Sequence, residues 1–392
     1  MGKRIAVIGA SGFVGTALVE HAIDACKAEV VPIIHSTGNA WRLIRRGLDI
    51  RMADLLDRNS IAAALDGCTH VVNCSRGDDA VMLTGLRNML DVAAERKIDG
   101  FLHLSSVMVY GDPPSPDSTT ESGTTPRQAK ASYGGIKLQQ DLMVQRAAAE
   151  GLPSLILCPP NISGPYSYFL GGIIGNLRAG SLAILENGQT VCNVVDVYNL
   201  AHAIMLGLDH CTKQSPRLFI TDGEDTTWGQ IVEAVRPLYE SASPAPSIDR
   251  AKLTALRNAM NAVPPINLGK SLKHLVASDI RAALRKDPLW AKFDKAVRQG
   301  VAKLGAVLED KLRLAVEGPI HVAKAASGPP INVQLSAQQL RGVRHSCALA
   351  KSLIGYQPRY SFAQSMTAYR AWYRSHTGQN SRSWALARYL WQ

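Results

Sequence analysis

The chain has no run of apolar residues that approaches the length of about 18 needed to cross a bilayer. Its seven cysteines form no CxxC pair and are odd in number, which disfavours a disulfide framework and a zinc site and is typical of reduced cytoplasmic thiols. Aromatic residues make up only 6% of the chain, although hydrophobic residues make up 46%, a balance found in neither disordered nor fibrous proteins. We therefore expect a cytoplasmic globular protein without a metal site.

Positive charge is concentrated in one segment of the chain. The net charge is +11, and residues 251–313 contain thirteen Lys/Arg against five Asp/Glu. Apolar residues recur there at helical spacing: Trp290, Phe293, Val297, Val301, Leu304, Leu308 and Leu312. We expect a basic helical insertion over 251–318. Packing of its apolar stripe on the protein or across a subunit interface is favoured over membrane contact through 288–316 and over polyanion binding. No nucleic-acid module is recognisable, so we expect no nucleic-acid partner.

Short β-branched runs alternate with helical stretches in the first half of the chain. The expected buried strands are 5–8, 30–34, 71–73, 101–104 and 155–157, and the expected helices are 14–26, 60–65, 80–96 and 132–150. This alternation predicts an α/β fold with a doubly wound parallel sheet of the Rossmann type. Two later segments, 190–196 and 218–221, are predicted to return to this domain as strands, and a helical stretch that includes 369–373 is expected near the end.

A glycine-rich turn follows the first expected strand directly. Gly9, Gly12 and Gly15 stand where the strand ends and a helix begins, which allows a tight turn and close approach of backbone amides to a pyrophosphate. The N-terminus of the helix adds a favourable field for phosphates. We therefore predict a dinucleotide site in which the phosphates are bound by Gly9, Ser11, Gly12, Phe13, Val14 and Gly15.

The second expected strand lacks the terminal carboxylate that usually binds the adenosine ribose. It ends in His35 and Ser36, and Arg42 follows. An arginine accommodates a 2′-phosphate that a carboxylate would repel, so NADP is favoured over NAD. Arginines on a solvated helix face would give the same pattern. Asp54 and Leu55 have the position and character of a side chain–backbone pair that contacts adenine.

Tyr133 and Lys137 are four residues apart in an expected helix and therefore share one of its faces. Ser105 and Ser106 stand at the end of an expected strand, and sites in doubly wound sheets lie beyond such ends. In this order, the glycine turn, the serines and the Tyr–Lys pair indicate alcohol–ketone redox chemistry. The alternative is an ordinary buried tyrosine and a surface lysine.

The glycine turn, Ser106 within 103–111, and the Tyr133-xxx-Lys137 pair resemble the extended short-chain dehydrogenase/reductase superfamily. The closest likeness is to its NAD-dependent epimerase/dehydratase family, which acts on nucleotide sugars. The resemblance covers about 3–239 and 340–374 and leaves out the basic insertion. It implies a Rossmann domain over 1–165, with returning segments near 190–222, and a smaller mixed α/β substrate-binding region over 166–392. It also implies a homodimer.

The resemblance further implies individual roles. Tyr133 would accept the hydroxyl proton, and Lys137 would favour the phenolate and bond the nicotinamide ribose. Ser106 would orient the substrate hydroxyl and stabilise the developing oxyanion. By position, the remaining cofactor residues are Cys74, Ser75, Pro159 and Pro160, and the remaining substrate residues are Arg76, Met108 and Asn161. Cys74-Ser75-Arg76 departs from the family, in which small apolar residues are common; Arg76 either reaches a phosphate or faces solvent.

The residues after Ser106 distinguish reactions within the family. The 4,6-dehydratases that resemble this group carry Asp-Glu there, whereas this chain has Val107 and Met108, which transfer no protons. The sequence therefore favours epimerisation of a nucleotide sugar through a transient keto intermediate. The alternative is NADPH-dependent reduction or oxidation of a non-sugar carbonyl or alcohol. A non-catalytic dinucleotide-binding scaffold is disfavoured by the intact Ser/Tyr/Lys set.

Overall fold

The computed structural model describes residues 2–44, 46–126, 128–239, 245–261 and 330–377. Contacts divide the chain into two units, one of residues 1–254 and 331–392 and the other of residues 255–330. In the second unit the structure describes the helical residues 255–261 and residue 330. The predicted basic insertion therefore lies outside the described residues from 262 onward, as does the whole of 288–316.

A parallel sheet of seven strands, in the order β10-β6-β5-β4-β1-β2-β3, forms the centre of the first unit. The strands of the described chain are β1 (Arg4–Ile8), β2 (Glu29–Ile34), β3 (Arg51–Met52), β4 (His70–Asn73), β5 (Gly100–Leu104), β6 (Ser154–Cys158), β7 (Asn161–Ser163), β8 (Ile184–Leu185), β9 (Val194–Asp196), β10 (Arg217–Phe219) and β11 (Ser247–Ile248). The strand order reverses at β1, where Ile5 is in register with Val30 on one side and His70 on the other. Ligands of open α/β sheets bind at such a reversal, beyond the carboxyl ends of the strands.

Helices follow most of these strands and cover the sheet. They are α1 (Phe13–Asp24), α2 (Trp41–Ile44), α3 (Arg58–Ala64), α4 (Leu86–Glu95), α5 (Tyr133–Ala149), α6 (Tyr168–Arg178), α7 (Val197–Gly207), α8 (Trp228–Val235), α9 (Arg250–Asn261), α10 (Val333–Ser336), α11 (Ala348–Ile354) and α12 (Phe362–Thr377). One turn of π-helix, Val81–Gly85, leads into α4. Among the described residues, none of the helices is long and apolar enough to span a membrane.

Both faces of the central sheet are buried. Side chains alternate between the faces of a strand, and in β1 Ile5 and Val7 join the apolar cluster that includes Leu18 and Leu200. Ala6 and Ile8 join the opposite cluster, which contains residues of α3, α4 and α5. Burial on two faces explains why the strands read as continuous apolar runs in the sequence. The predicted fold class, a doubly wound Rossmann-type sheet, is confirmed.

The two segments predicted to return as strands take different places. β10 pairs with β6 and extends the central sheet as predicted. The prediction for 190–196 is wrong in its position, because only β9 is a strand there and it pairs with β7 in a separate two-stranded sheet. β7 follows Pro159 and Pro160, and proline has no N–H to donate to a strand partner. The proline pair therefore ends β6, and the chain that follows builds a second sheet.

The predicted terminal helix corresponds to α12. Its buried Met366, Tyr369 and Tyr373 pack with Trp228 of α8 in a third apolar cluster, which also contains residues of α6. This cluster is distinct from the two clusters on the faces of the central sheet. It forms a further apolar core from residues of α6, α8 and α12.

Candidate active site

The glycine turn is in close contact with the residue that follows β4 on one side and with α1 on the other. Gly9 has φ +78°, and a Cβ built on it would lie 2.9 Å from the carbonyl carbon and oxygen of Cys74. A Cβ on Gly15 would lie 2.2 Å from the Gly9 oxygen. Gly12 precedes α1 in extended conformation without a side-chain cap, so the first-turn N–H groups of α1 are left for another acceptor. This glycine cradle at an uncapped helix N-terminus fits the pyrophosphate of a dinucleotide.

The adenosine end of the predicted cofactor site differs from the expectation for Arg42. His35 and Ser36 are exposed beyond β2. The Arg42 guanidinium, however, pairs with Glu20 of α1 through Nη2–Oε2 at 2.6 Å and Nε–Oε1 at 3.1 Å. It also lies 4.2 Å from the centre of the Tyr166 ring. Arg42 is therefore already neutralised by a carboxylate that is 22 positions away, and nothing local in the sequence reveals this pair.

The side chain–backbone pair predicted to contact adenine lies beyond β3. The exposed Asp54 accepts a hydrogen bond from the Leu56 amide at 2.9 Å. Leu55 is buried and belongs to the apolar cluster that contains residues of α3, α4 and α5. The pair therefore lies in a turn at the carboxyl edge of the sheet, the edge to which the glycine cradle also belongs.

The loop after β4 is held tightly in place. Asn73 Oδ1 accepts hydrogen bonds from the Ser75 amide at 3.0 Å and from Ser75 Oγ at 2.6 Å, and the Asn73 amide nitrogen contacts His103 Nδ1 of β5 at 3.1 Å. Burial raises the pKa of the Cys74 thiol to about 12 although Lys137 opposes this shift. Cys74 is therefore protonated at neutral pH and is a packing residue of the loop rather than a nucleophile.

The start of α5 is packed so closely that only glycine fits after Tyr133. A Cβ on Gly134 would lie 2.5 Å from the Met108 oxygen, and a Cβ on Gly135 would lie 2.1 Å from the Ala129 oxygen. Ser132 caps the helix, since its Oγ accepts from the Gly135 amide at 3.1 Å. The two glycines therefore allow the first turn of α5 to press against the short turn that follows β5.

Gln128 joins the loop before α5 to that same turn. Its Nε2 donates to the backbone oxygens of Met108 at 3.0 Å and Val109 at 2.9 Å. The sequence analysis missed this residue, and a lone glutamine in a loop gives no signal of such a role. Gln128 and the glycines together fix the position of Tyr133 relative to Ser106.

Ser106, Tyr133 and Lys137 lie at the carboxyl edge of the sheet. Ser106 is 8% exposed and Tyr133 39%, and the Ser106 side chain is among the groups near enough to Tyr133 to lower the pKa of its phenol. Ser106 Oγ also accepts from the Met108 amide at 3.2 Å. Lys137 is 5% exposed, and its Nζ donates to the Leu104 oxygen, the last residue of β5, at 2.8 Å. The structure thus brings a phenol and an alcohol together at the carboxyl edge of the sheet, with the buried ammonium of Lys137 one helical turn further along α5.

The charges around Tyr133 are distributed differently from the expectation. Burial raises the pKa of the Tyr133 phenol, while the Arg76 guanidinium and the Ser106 hydroxyl lower it. Arg76 Cζ lies 5.4 Å from the centre of the Tyr133 ring. Burial lowers the pKa of Lys137 to about 8, with Asp141 opposing the shift and Arg76 adding to it. The activation of Tyr133 by Lys137 stays a prediction.

A buried ion pair lies behind Lys137. Asp141, one helical turn further along α5, is fully buried and bonds through Oδ2 to Nε of Arg217 in β10 at 2.6 Å. Burial raises the pKa of Asp141, while Arg217, Ser105 and Lys137 lower it. The sequence analysis missed this pair. A carboxylate four positions after Lys137 on the same helix face was the signal that could have found its acidic member.

The remaining predicted substrate and cofactor residues differ in their burial and in their hydrogen bonds. Asn161 Nδ2 donates to the Asn193 oxygen at 3.2 Å, so this amide joins β7 to the segment before β9. Met108 and Val107 are half-buried beside Ser106. Pro159 is buried and its oxygen accepts from the Val107 amide at 3.2 Å, whereas Pro160 is half-buried. In the part of the chain that the structure describes, no cluster of His, Cys, Asp and Glu could hold a metal ion.

Comparison with known proteins identifies the family. The family model described as NAD dependent epimerase/dehydratase family matches residues 5–220, which is more than half of the chain. The chain belongs to the NAD-dependent epimerase/dehydratase family. It is therefore an NAD-dependent enzyme of the extended short-chain dehydrogenase/reductase type, as the sequence motifs predict. The glycine cradle is the part of the structure that fits the cofactor of this family.

Relatives of known activity match parts of the chain. The 4-hydroxy-2-methyl-3-oxo-4-farnesyl-3,4-dihydroquinoline-1-oxide ketoreductase of Stigmatella aurantiaca is 23% identical over 230 residues, which cover 56% of this chain and 68% of that protein. The dTDP-glucose 4,6-dehydratase of Salmonella typhimurium is 27% identical over 202 residues, which cover 42% of this chain and 56% of that enzyme. Sequence relatives thus include both a ketoreductase and a sugar dehydratase.

Solved structures match over nearly the whole length. The dTDP-glucose 4,6-dehydratase from Bacillus anthracis in complex with NAD has a TM-score of 0.63 and 14% identity, covering 98% of this chain and 99% of that chain. The UDP-glucose 4-epimerase from Thermotoga maritima with UDP-glucose also has a TM-score of 0.63, with 15% identity and coverage of 95% and 99%. At this level of identity the similarity establishes the fold.

Proposed function

We propose that this enzyme epimerises a nucleotide sugar through a transient keto intermediate, with Tyr133 as the proton-accepting base. The observation that carries the proposal is the placement of Ser106, directly after β5, near enough to Tyr133 at the start of α5 to lower the pKa of its phenol. Tyr133 is partly exposed there, so a substrate hydroxyl has access to it. The glycine cradle lies at the same edge and would hold the cofactor.

The site residues have separate tasks in this proposal. The bound dinucleotide supplies a hydride acceptor that also returns the hydride. Tyr133 takes the proton from the substrate hydroxyl as the carbon is oxidised, and Ser106 holds that hydroxyl and then the carbonyl oxygen. Lys137, with Asp141 behind it, supplies positive charge on the cofactor side of the cleft. The keto sugar must then turn so that its carbonyl carbon regains the hydride on the opposite face, and return of the proton from Tyr133 to the oxygen would complete the inverted alcohol.

The residues beside Ser106 support epimerisation over dehydration. Elimination of water needs an acid and a base in addition to the alcohol–ketone step, whereas Val107 and Met108 occupy the positions after Ser106. Both are apolar or weakly polar side chains that transfer no proton. Epimerisation needs only the proton acceptor, the orienting hydroxyl and the cofactor.

A second candidate function is net reduction or oxidation of a non-sugar carbonyl or alcohol. It is supported by the similarity to the Stigmatella aurantiaca ketoreductase, which covers 68% of that protein. The two functions differ in how the cofactor is used. An epimerase keeps its nucleotide through each turnover, whereas a reductase releases it after every cycle.

The test begins with mass spectrometry of the nucleotides released from the purified protein. Stoichiometric bound cofactor, together with conversion of one hexose into its epimer in a panel of UDP- and dTDP-sugars, supports epimerisation. Rapid cofactor exchange with net change of absorbance at the nicotinamide band supports the reductase. Tyr133→Phe should abolish either activity while cofactor remains bound, and Tyr360→Phe, at a 44% exposed tyrosine, should keep it. Full activity of Tyr133→Phe would refute Tyr133 as the base.

The choice between NAD and NADP is part of the proposal. The sequence favours NADP through Arg42, but the ion pair with Glu20 leaves that guanidinium with less charge to offer a 2′-phosphate. Arg45, a second arginine of this stretch, lies outside the described residues. Isothermal titration of the nucleotide-free protein with each cofactor would decide between them, and tighter binding of NAD would overturn the NADP preference.

We further propose a homodimer in which α5 lies at the interface, as the family resemblance implies. Leu142 of α5 is 56% exposed, and an interface along α5 would bury this apolar side chain. Light scattering should then give about twice the chain mass of 42.3 kDa. A mass equal to one chain would refute the dimer.

A further inference from the structure

Arg76 has an unusual setting for an arginine beside a catalytic cleft. It follows β4 in an exposed position, and its Cζ lies 5.4 Å from the centre of the Tyr133 ring. Among the described residues, no carboxylate forms an ion pair with it. Nearby Asp78 instead accepts a hydrogen bond from the Val81 amide at 2.9 Å. The guanidinium therefore places an unpaired positive charge over the aromatic face of Tyr133. At 5.4 Å from the ring centre, a cation and an aromatic ring attract each other.

The backbone beneath Arg76 is fixed rather than free to move. Asn73 receives two hydrogen bonds from Ser75, the residue before Arg76. On its other side, the loop is in contact with Gly9, because a Cβ built on Gly9 would lie only 2.9 Å from the Cα of Ser75. The backbone that carries Arg76 is therefore held in place beside the glycine cradle.

The positive charge of Lys137 is engaged by groups other than Tyr133. Its Nζ donates to the Leu104 oxygen at 2.8 Å and lies on the same helix face as the fully buried Asp141. The Asp141 carboxylate thus balances part of the positive charge of Lys137. The other ionisable and polar groups that face Tyr133 are Ser106 after β5 and Cys158 at the end of β6.

We propose that Arg76 is a positioning residue whose positive charge stabilises the phenolate form of Tyr133. This inference rests on the proposed role of Tyr133 as the base. Arg76 acts through the ring that it covers, and it supplements Lys137 with charge from a different element of the fold. Loss of the charge should raise the pKa of Tyr133 by about one unit, the size expected for a unit charge 5.4 Å from the centre of the ring in a partly hydrated site.

The test is a spectrophotometric pH titration of tyrosine ionisation in the full chain saturated with NAD. The contribution of Tyr133 is the difference between the wild type and Tyr133→Phe. Arg76→Gln should move this step upward by about one pH unit, and Arg76→Lys should restore most of the shift. The matched control is Arg87→Gln, at an exposed arginine of α4, which should leave the step unmoved. Circular dichroism of each variant verifies that it is folded.

Each outcome supports or overturns the inference. An unmoved step in Arg76→Gln overturns it while leaving Tyr133 as the base. Weaker binding of UDP to Arg76→Gln, with an unmoved tyrosine step, assigns the guanidinium to an anionic ligand and also overturns it. If Tyr133→Phe keeps full activity in the epimerase and reductase assays, the proposed function itself fails, and that result is independent of Arg76.

Discussion

Gly135→Ala should displace the start of α5 and with it Tyr133. The new Cβ would lie 2.1 Å from the Ala129 oxygen and 3.0 Å from Ser132 Oγ. Because the closer atom belongs to the backbone, no side-chain rotation relieves the contact. The loop or the helix must move by more than about 1 Å to restore an ordinary separation. Overpacking of this kind costs about 1–3 kcal/mol, partly offset by about 1 kcal/mol of gained helix propensity.

The effect on turnover should exceed the effect on stability. A displacement of about 1 Å at a reacting group can reduce the rate about 100-fold. Gly175→Ala on α6 is the matched control, because a Cβ there has no atom within 4 Å, and it should stabilise the fold by about 0.4–1 kcal/mol. Urea denaturation would be measured for both variants, together with their turnover in the epimerase and reductase assays. Equal stability and equal activity of the two alanine variants would refute the packing argument.

Three further predictions concern charge and the glycine cradle. Asp141→Asn should destabilise the fold by about 3–5 kcal/mol, because it removes the fully buried carboxylate that pairs with Arg217, whose side chain is 15% exposed. Glu150→Gln in an exposed pair should change stability by under about 0.5 kcal/mol in the same urea assay. Burial raises the pKa of Asp222 from 3.8 to about 7, so the folded state binds the proton more tightly and stability should fall as pH rises from about 4 to 7. Denaturation across that window should show a flatter profile for Asp222→Asn, and an unchanged slope would contradict the assignment. Gly9→Ala should weaken NAD binding at least about tenfold by titration, since its φ is +78°, whereas Gly172→Ala, with open space around it, should bind NAD normally.

Local patterns in the sequence were sufficient to predict the central sheet and its functional edge. The runs that became β1, β4, β5 and β6 are buried on both faces, so apolar content alone marks them. Carboxyl ends of parallel strands meet at one edge, and this rule predicts that Ser106 and the glycine cradle share a site. The i, i+4 spacing correctly places Tyr133 and Lys137 on one helix, although it does not reveal that Lys137 bonds to the Leu104 oxygen.

Contacts between distant segments could not be predicted in this way. Arg42 is an exposed cation by its sequence context, but Glu20 of a preceding helix neutralises it. Asp141 and Arg217 are 76 positions apart, and no periodicity links them. The three-residue β9 is too short for an alternating pattern, and its pairing with β7 depends on where a proline pair ends the strand before it.

The central claim is that the Tyr133 oxygen accepts a proton beside the nicotinamide ring, and a crystal structure of the full chain with NAD tests it most directly. The account predicts the nicotinamide ring at the carboxyl ends of β4 and β5, with the Tyr133 and Ser106 oxygens both facing the carbon that carries the hydride. A single substrate oxygen should then fit about 3 Å from both hydroxyl groups. A nicotinamide ring bound elsewhere, or a Tyr133 hydroxyl turned away from it, would contradict the claim.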